Sequence, residues 1–227
     1  MKIMPIHIGL GLLLLFSSSL LAETLFEESF NNTATQAANH NLKSIGWCGY
    51  GGSQAKDLTE VSGAELNSLL IAWGRGNPAD SRGFLGCIMS RKEPNFESYT
   101  AIKTGLALKA PHTITWRMHA GKGQTLHVRV LIQVDGKWYA SAEVFQATAF
   151  GLAEDFAMAD TAAVEKKLTY TTDELDWLEF ALTPGQSIAV RGTPSKALPK
   201  SPLTGVGFYL YGGGTGRIDS LRITNEP

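Results

Sequence analysis

Three carboxylates fall within one short string, Glu174-Leu175-Asp176-Trp177-Leu178-Glu179. A strand carrying one bulge there would turn Glu174, Asp176 and Glu179 to a single face. Two carboxyl groups about 5–5.5 Å apart on such a face cleave a glycosidic bond with retention of configuration. The plainer alternative reads residues 171–174 as a polar turn and 177–182 as an ordinary strand with Leu178, Phe180 and Leu182 inward. A second chemistry is proton abstraction beside a uronate carboxylate, for which His127, Arg117, Arg129 and a nearby tyrosine have suitable types. The third is recognition without reaction. Sugars offer C–H faces that stack on Trp and Tyr, and hydroxyls that pair with Arg, Asn, Gln and Asp. Trp138, Arg129, His127, Gln133 and Arg117 combine those types, and the loop aromatics Trp47, Tyr50 and Trp73, with Arg75 and Asn77, form a second set. His40, His112, His119 and His127 lack metal-ligand spacing, and the chain contains no Gly-x-Ser-x-Gly elbow or phosphate loop.

The elements that must position these groups are clearest in residues 112–144. Ile114, Trp116 and Met118 alternate with Thr113, Thr115, Arg117 and His119, the period of a half-buried strand. Beyond Gly121-Lys122-Gly123, Leu126, Val128, Val130, Ile132 and Val134 alternate against His127, Arg129 and Gln133. Asp135-Gly136 is a two-residue hairpin turn, and its register pairs Ile132 with Tyr139 and Gln133 with Trp138. Read as a three-stranded meander, the segment also sets Met118 opposite Leu126 and Trp116 opposite Val128. One face is then apolar, and the other carries Arg117, His127, Arg129, Gln133 and Trp138.

Further strands are predicted at 24–30, 67–73, 83–90, 99–108, 177–182, 204–211 and 217–223. Residues 146–167, rich in Ala with Glu and Lys, predict one short helix. The prolines of 193–202 place that stretch in an exposed loop. Many short strands separated by turn signals imply an all-β, antiparallel two-sheet sandwich.

Lys2, the apolar run 6–16 and Ser17-Ser18-Ser19-Leu20-Leu21-Ala22 read as a signal peptide over 1–22. Residues 23–227 then form one domain, secreted or periplasmic, with no membrane span after cleavage. The formal net charge of −1, with scattered Lys and Arg, argues against a nucleic-acid partner. Cys48 and Cys87 suit a single disulfide in an oxidising compartment, with two buried thiols as the alternative.

Phe26-Glu27-Glu28-Ser29-Phe30 near the start, and Gly205-Val206-Gly207-Phe208-Tyr209-Leu210 with Arg217-Ile218-Asp219-Ser220-Leu221-Arg222-Ile223 near the end, resemble the two ends of secreted bacterial jelly-roll domains. These belong to the concanavalin A-like, laminin G-like and carbohydrate-binding-module sandwiches. The resemblance implies a jelly roll whose first and last strands lie side by side, bringing Glu28 near Asp219. A structural calcium ion is the cofactor expectation there, since hard cations gather oxygens; no other cofactor is expected. The carboxylate string is itself similar to the E-x-D-x-x-E motif of laminarinase-like (family 16) glycoside hydrolases. That likeness implies Glu174 as nucleophile, Asp176 as helper and Glu179 as acid/base. The reading favoured is a monomeric, non-catalytic carbohydrate-binding-like module that recognises a polysaccharide or glycoconjugate. A glycan-active hydrolase or lyase and a cell-surface or matrix protein-interaction domain are the alternatives.

Overall fold

The computed structural model describes residues 23–32, 40–61, 70–73, 83–88, 96–109, 111–121, 124–147 and 164–225. Strands are numbered in chain order. The smaller sheet holds β1 (Thr24–Glu28), β4 (Leu70–Trp73), β5 (Phe84–Ile88), β7 (Thr113–Ala120), β11 (Val164–Thr169) and β15 (Thr215–Thr224). The larger holds β2 (Cys48–Gly51), β3 (Lys56–Asp57), β6 (Ser98–Leu108), β8 (Leu126–Val134), β9 (Lys137–Ser141), β10 (Phe145–Ala147), β12 (Trp177–Thr183), β13 (Ser187–Val190) and β14 (Leu203–Tyr211). Antiparallel pairing throughout and an apolar layer between the sheets make the fold an all-β sandwich. No helix among the described residues is long and apolar enough to cross a membrane.

The period-two alternation sets which side chains enter that layer. On β8, Leu126, Val128, Val130, Ile132 and Val134 are fully buried, while His127, Arg129 and Gln133 remain half-buried on the other face. Val206, Phe208 and Leu210 of β14 join them, as do Ile114, Trp116 and Met118 of β7 across the sandwich. The Trp116 ring meets Phe145 edge-on at 4.7 Å and lies 5.8 Å from Phe208. In β15, Ile218 and Leu221 are an odd number of positions apart, yet both are buried. A register shift between Asp219 and Arg222, with Ser220 at φ 52°, restores the parity. This is the one-residue device that flips side chains between faces.

The hairpin of β8 and β9 forms in the predicted register, Ile132 facing Tyr139 and Gln133 facing Trp138. Asp135 and Gly136 take the positive φ values of 48° and 72° that its turn requires. The first half of the predicted meander does not form. β7 pairs with β11 and β15 in the smaller sheet, and β8 pairs with β9, β10 and β14 in the larger. The link between them crosses the sandwich, anchored by Gly121 N–H donating to the Thr215 carbonyl at 2.7 Å and Thr215 N–H to Gln124 Oε1 at 2.6 Å. Two strands with apolar alternation satisfy it equally well side by side or facing each other across a core.

The predicted helix is corrected where it is described: Gln146 and Ala147 belong to β10, and residues 164–167 to β11. Residues 148–163 lie outside the described residues, as does the expected signal peptide. β1 and β15 are neighbours as expected, with Glu27 opposite Arg222 and Glu28 opposite Leu221.

The two sheets are also joined by a polar node. Glu28 of β1 accepts from Trp47 Nε1 at 2.8 Å, from the Phe30 N–H at 3.0 Å and from Lys103 Nζ of β6 at 3.1 Å. Lys103 also donates to the Ile45 carbonyl at 3.0 Å and lies over the rings of Phe26 and Trp47. The Glu28 and Lys103 side chains are only 14% and 23% exposed, so loss of either charge strands the other. Glu28→Gln should lower unfolding free energy in a urea titration by about 2 kcal/mol, less than the roughly 3–5 kcal/mol of a fully buried pair because water still reaches Lys103.

Candidate functional site

The larger sheet runs β13-β12-β9-β8-β14-β6-β2-β3, and it curls until its two edges meet. Gly185 N–H donates to the Ala55 carbonyl at 2.9 Å, and Ile188 N–H to the Ser53 carbonyl at 2.7 Å. The face turned away from the main core is therefore enclosed along its middle. Tyr50, Ala55, Ile102, Leu131, Ala140 and Phe180 form a second buried cluster there. Leu131 and Ala140, on the face expected to be solvated, are fully buried. Gly207 lies in the same band, where an added Cβ would come within 2.3 Å of the Ala101 carbonyl and 2.8 Å of Ile102. This plug divides the polar face predicted from the sequence into two separate ends.

At one end, His127 of β8 stacks on Tyr211 of β14 with ring centroids 5.2 Å apart. Tyr211 stacks on Tyr209 at 5.4 Å, and Tyr209 meets Phe180 edgewise at 5.5 Å. All three rings of the row are half-buried. Gln146 of β10, exposed, pairs in register with His127 and extends the row sideways. Among the described residues, the His127 ring nitrogens and the hydroxyls of Tyr209 and Tyr211 have no hydrogen-bond partner. Arg129 is committed: one guanidinium nitrogen donates to the Ser141 and Ala142 carbonyls at 2.6 and 2.7 Å. That nitrogen braces the end of β9. Tyr209 and Tyr211 are not among the site residues read from the sequence, yet their signal is present in it. Phe208 and Leu210 point inward, so the alternate residues must point out.

At the other end, Trp138 is half-buried and lies across the sheet toward β14. A Cβ on Gly205 would come within 2.7 Å of its indole, so glycine there makes room for the ring. Gln133 beside it accepts from the Thr204 hydroxyl at 2.9 Å. Trp138 thus packs more than it protrudes.

Arg117 is not on this face. It stands in the smaller sheet, between Asp219 and Glu165 on neighbouring strands. His119 follows on the same face, 2% exposed and opposite Arg217. Burial, with Arg217 adding to it, pulls its pKa down to about 4. The lyase-type group of His127, Arg117 and Arg129 is therefore split between two sheets.

Trp47 is 1% exposed and its indole N–H is held by Glu28, so it offers no stacking surface. Tyr50 belongs to the plug, and burial raises its hydroxyl to about 12. Both line a shallow cleft of about 800 Å³ with Lys43, Asp57 and Glu60. Trp73 lies in β4, while Arg75 and Asn77 fall outside the described residues. Glu174 and Asp176 sit in a 3₁₀ turn capped by Asp173, and Asp176 accepts from the Thr171 hydroxyl. Glu179 alone enters the strand, opposite Tyr139 on the face away from the aromatic row. The turn thus keeps the three carboxylates from lining up along one strand face.

Glu28 is surrounded by N–H donors and an ammonium, the opposite of the oxygen cage that calcium needs. Asp219 accepts from the Ser220 N–H at 2.6 Å. Among the described residues no three His, Cys, Asp or Glu side chains gather as a metal site. The expected disulfide is absent: Cys48 and Cys87 are both free. Cys87 lies in the main core, whereas Cys48 packs against the second cluster on the far side of the larger sheet.

No family model matches the chain, and no curated protein matches it. Its fold is similar to several solved structures, all remote. The family 11 carbohydrate-binding module from Clostridium thermocellum, solved with a β-1,3-1,4-mixed-linked tetrasaccharide, is 7% identical, with a TM-score of 0.43 over 87% of this chain and 94% of that one. The K2 cleaved adhesin domain of Lys-gingipain is 10% identical, with a TM-score of 0.44 over 87% and 98%. The N-terminal binding and catalytic modules of an endo-1,4-β-D-xylanase from Clostridium thermocellum, complexed with xylohexaose, are 11% identical, with a TM-score of 0.44 over 90% of this chain; the chain spans only 28% of that protein.

Two measurements check this geometry. Burial pushes the Cys87 thiol up to about 12, so iodoacetamide at neutral pH should label Cys87 only after denaturation, and reductant should leave the melting temperature unchanged. His119 has a folded pKa below the unfolded value of about 6.5, so the unfolded chain binds more protons between pH 6.5 and 4. Stability should hold above pH 6.5 and fall as pH drops toward 4, and His119→Gln should flatten that slope in denaturant titrations.

Proposed function

We propose that the protein is a carbohydrate-binding module-like domain that recognises a polysaccharide or glycoconjugate without cleaving it. Its contact surface is the open end of the larger sheet built from His127, Tyr211, Tyr209 and Gln146. The observation that carries the reading is the ring row itself. Three half-buried rings stand side by side on a rigid strand pair, with hydroxyls and ring nitrogens that no described residue engages. Such a row offers apolar ring surface to sugar C–H groups and polar tips to sugar hydroxyls. Placement on strands keeps the groups fixed, so little ordering is lost on binding.

The leader-like residues 1–22 support export, to the periplasm or outside the cell, as the setting in which such a domain meets polysaccharide. The surface consists of rings and amides, so sensitivity of binding to salt should be slight.

Affinity electrophoresis through gels containing soluble β-glucans, xylans and other plant and microbial polysaccharides tests this directly. At least one polysaccharide should retard the protein. Tyr211→Ala and His127→Ala should each weaken that retardation by about tenfold, on the scale of a lost ring stack. Glu174→Gln and Glu179→Gln should leave it unchanged. Failure of every polysaccharide to retard the chain, or retention unaffected by Tyr211→Ala, would sink the proposal.

A further inference from the structure

A second cleft, of about 550 Å³, opens at the opposite end of the sandwich. It is bounded by Lys109 and Pro111, by Tyr170 to Thr172, and by Lys200 to Pro202. These three segments are chain turns: they follow β6, precede β7, follow β11 and precede β14. Backbone bonds fix them in place. Tyr170 N–H donates to the His112 carbonyl and Leu198 N–H to the Thr172 carbonyl, both at 2.8 Å. The Trp177 indole N–H holds the Thr171 carbonyl at 3.0 Å. The cleft walls thus come from both sheets but are tied to each other.

The chemistry of the lining is asymmetric. Two exposed lysines reach it, no carboxylate lines it, and among the described residues neither Lys109 nor Lys200 has an ion-pair partner. This occurs in a chain whose formal net charge is −1. Between the lysines, the half-buried Tyr170 supplies a flat ring and the exposed Pro202 further apolar surface, with Pro111 buried beneath, and Thr172 and Ser201 supply hydroxyls. Thr171 is not free to contribute, since its hydroxyl donates to Asp176. The volume falls within the range of small-ligand sites, roughly 300–1,000 Å³. Two ammonium groups ask for an anion, and the face of Tyr170 asks for a ring attached to it.

We infer that this cleft is a separate site for an acidic sugar, a pyranose ring bearing a carboxylate, held by Lys109 and Lys200 against Tyr170. It is independent of the aromatic row, which lies about 25 Å away at the far end of β14, judged from roughly 3.3 Å per strand residue.

Titration of the ¹⁵N-labelled chain at constant ionic strength tests it, with sodium glucuronate, glucose and sodium sulfate as probes. Glucuronate should shift the amides of Lys109, Tyr170, Thr171, Thr172, Lys200 and Ser201, with half-saturation at least tenfold below that of either glucose or sulfate. The double variant Lys109→Gln/Lys200→Gln changes only exposed side chains and should lose at least tenfold in glucuronate response. Tyr211→Ala should leave that response intact, which separates this site from the proposed polysaccharide surface. No shift with glucuronate, an equal response to glucose or to sulfate, or full binding by the double variant would each overturn the inference.

Discussion

The closure of the larger sheet on itself is the constraint from which the arrangement of this protein's outer surface follows. A strongly twisted sheet of this many strands curls, because each strand is rotated relative to its neighbour. Here the curl carries the edge at β13 to the turn before β3, and two backbone hydrogen bonds complete the contact. The edges that would otherwise present unpaired amides are thereby covered. Closure also removes the middle of a sheet face from water. Leu131, Phe180 and Ile102 are apolar on that face because they line a second, smaller core.

That division explains why the candidate surface is an end and not a whole face. The plug backs the row of His127, Tyr211 and Tyr209, with Phe180 touching Tyr209 from below. Rings supported in this way keep one orientation, and the remaining polar tips are left to the solvent side. Arg129, which by type suits a sugar hydroxyl or a carboxylate, instead satisfies two carbonyls at the end of β9. Backbone carbonyls near a strand end need donors, and a guanidinium within reach supplies them.

Much of the framework was legible in the residues. The alternation of β8, the Asp135-Gly136 turn and the register of Trp138 with Gln133 follow from local rules and are found as expected. The neighbouring of β1 and β15 followed from the resemblance of the chain's ends to jelly-roll domains. The pairing of β7 was misread because alternation reports which side is apolar and not which strand lies alongside. The same ambiguity misplaced Arg117, since its face depends on the sheet to which β7 belongs. Trp47, Tyr50 and Glu28 were misread for another reason. Each has a composition that suits a ligand, but burial commits them to neighbours distant in sequence, and nothing local records that.

The sequence by itself determined many of the strands, the core-facing alternation of β7 and β8 and the Asp135-Gly136 turn, because these depend on periodicity and on backbone preferences within a few residues. Tertiary structure decided which groups share a surface. Sheet membership separated Arg117 from His127, curvature buried Leu131 and divided the polar face, and opposed orientations kept Cys48 from Cys87. It also brought Tyr209 and Tyr211 beside His127, 82 and 84 positions earlier in the chain. Such meetings are set by long-range strand pairing and sheet twist, which integrate the whole chain and leave no signature in any short stretch of it.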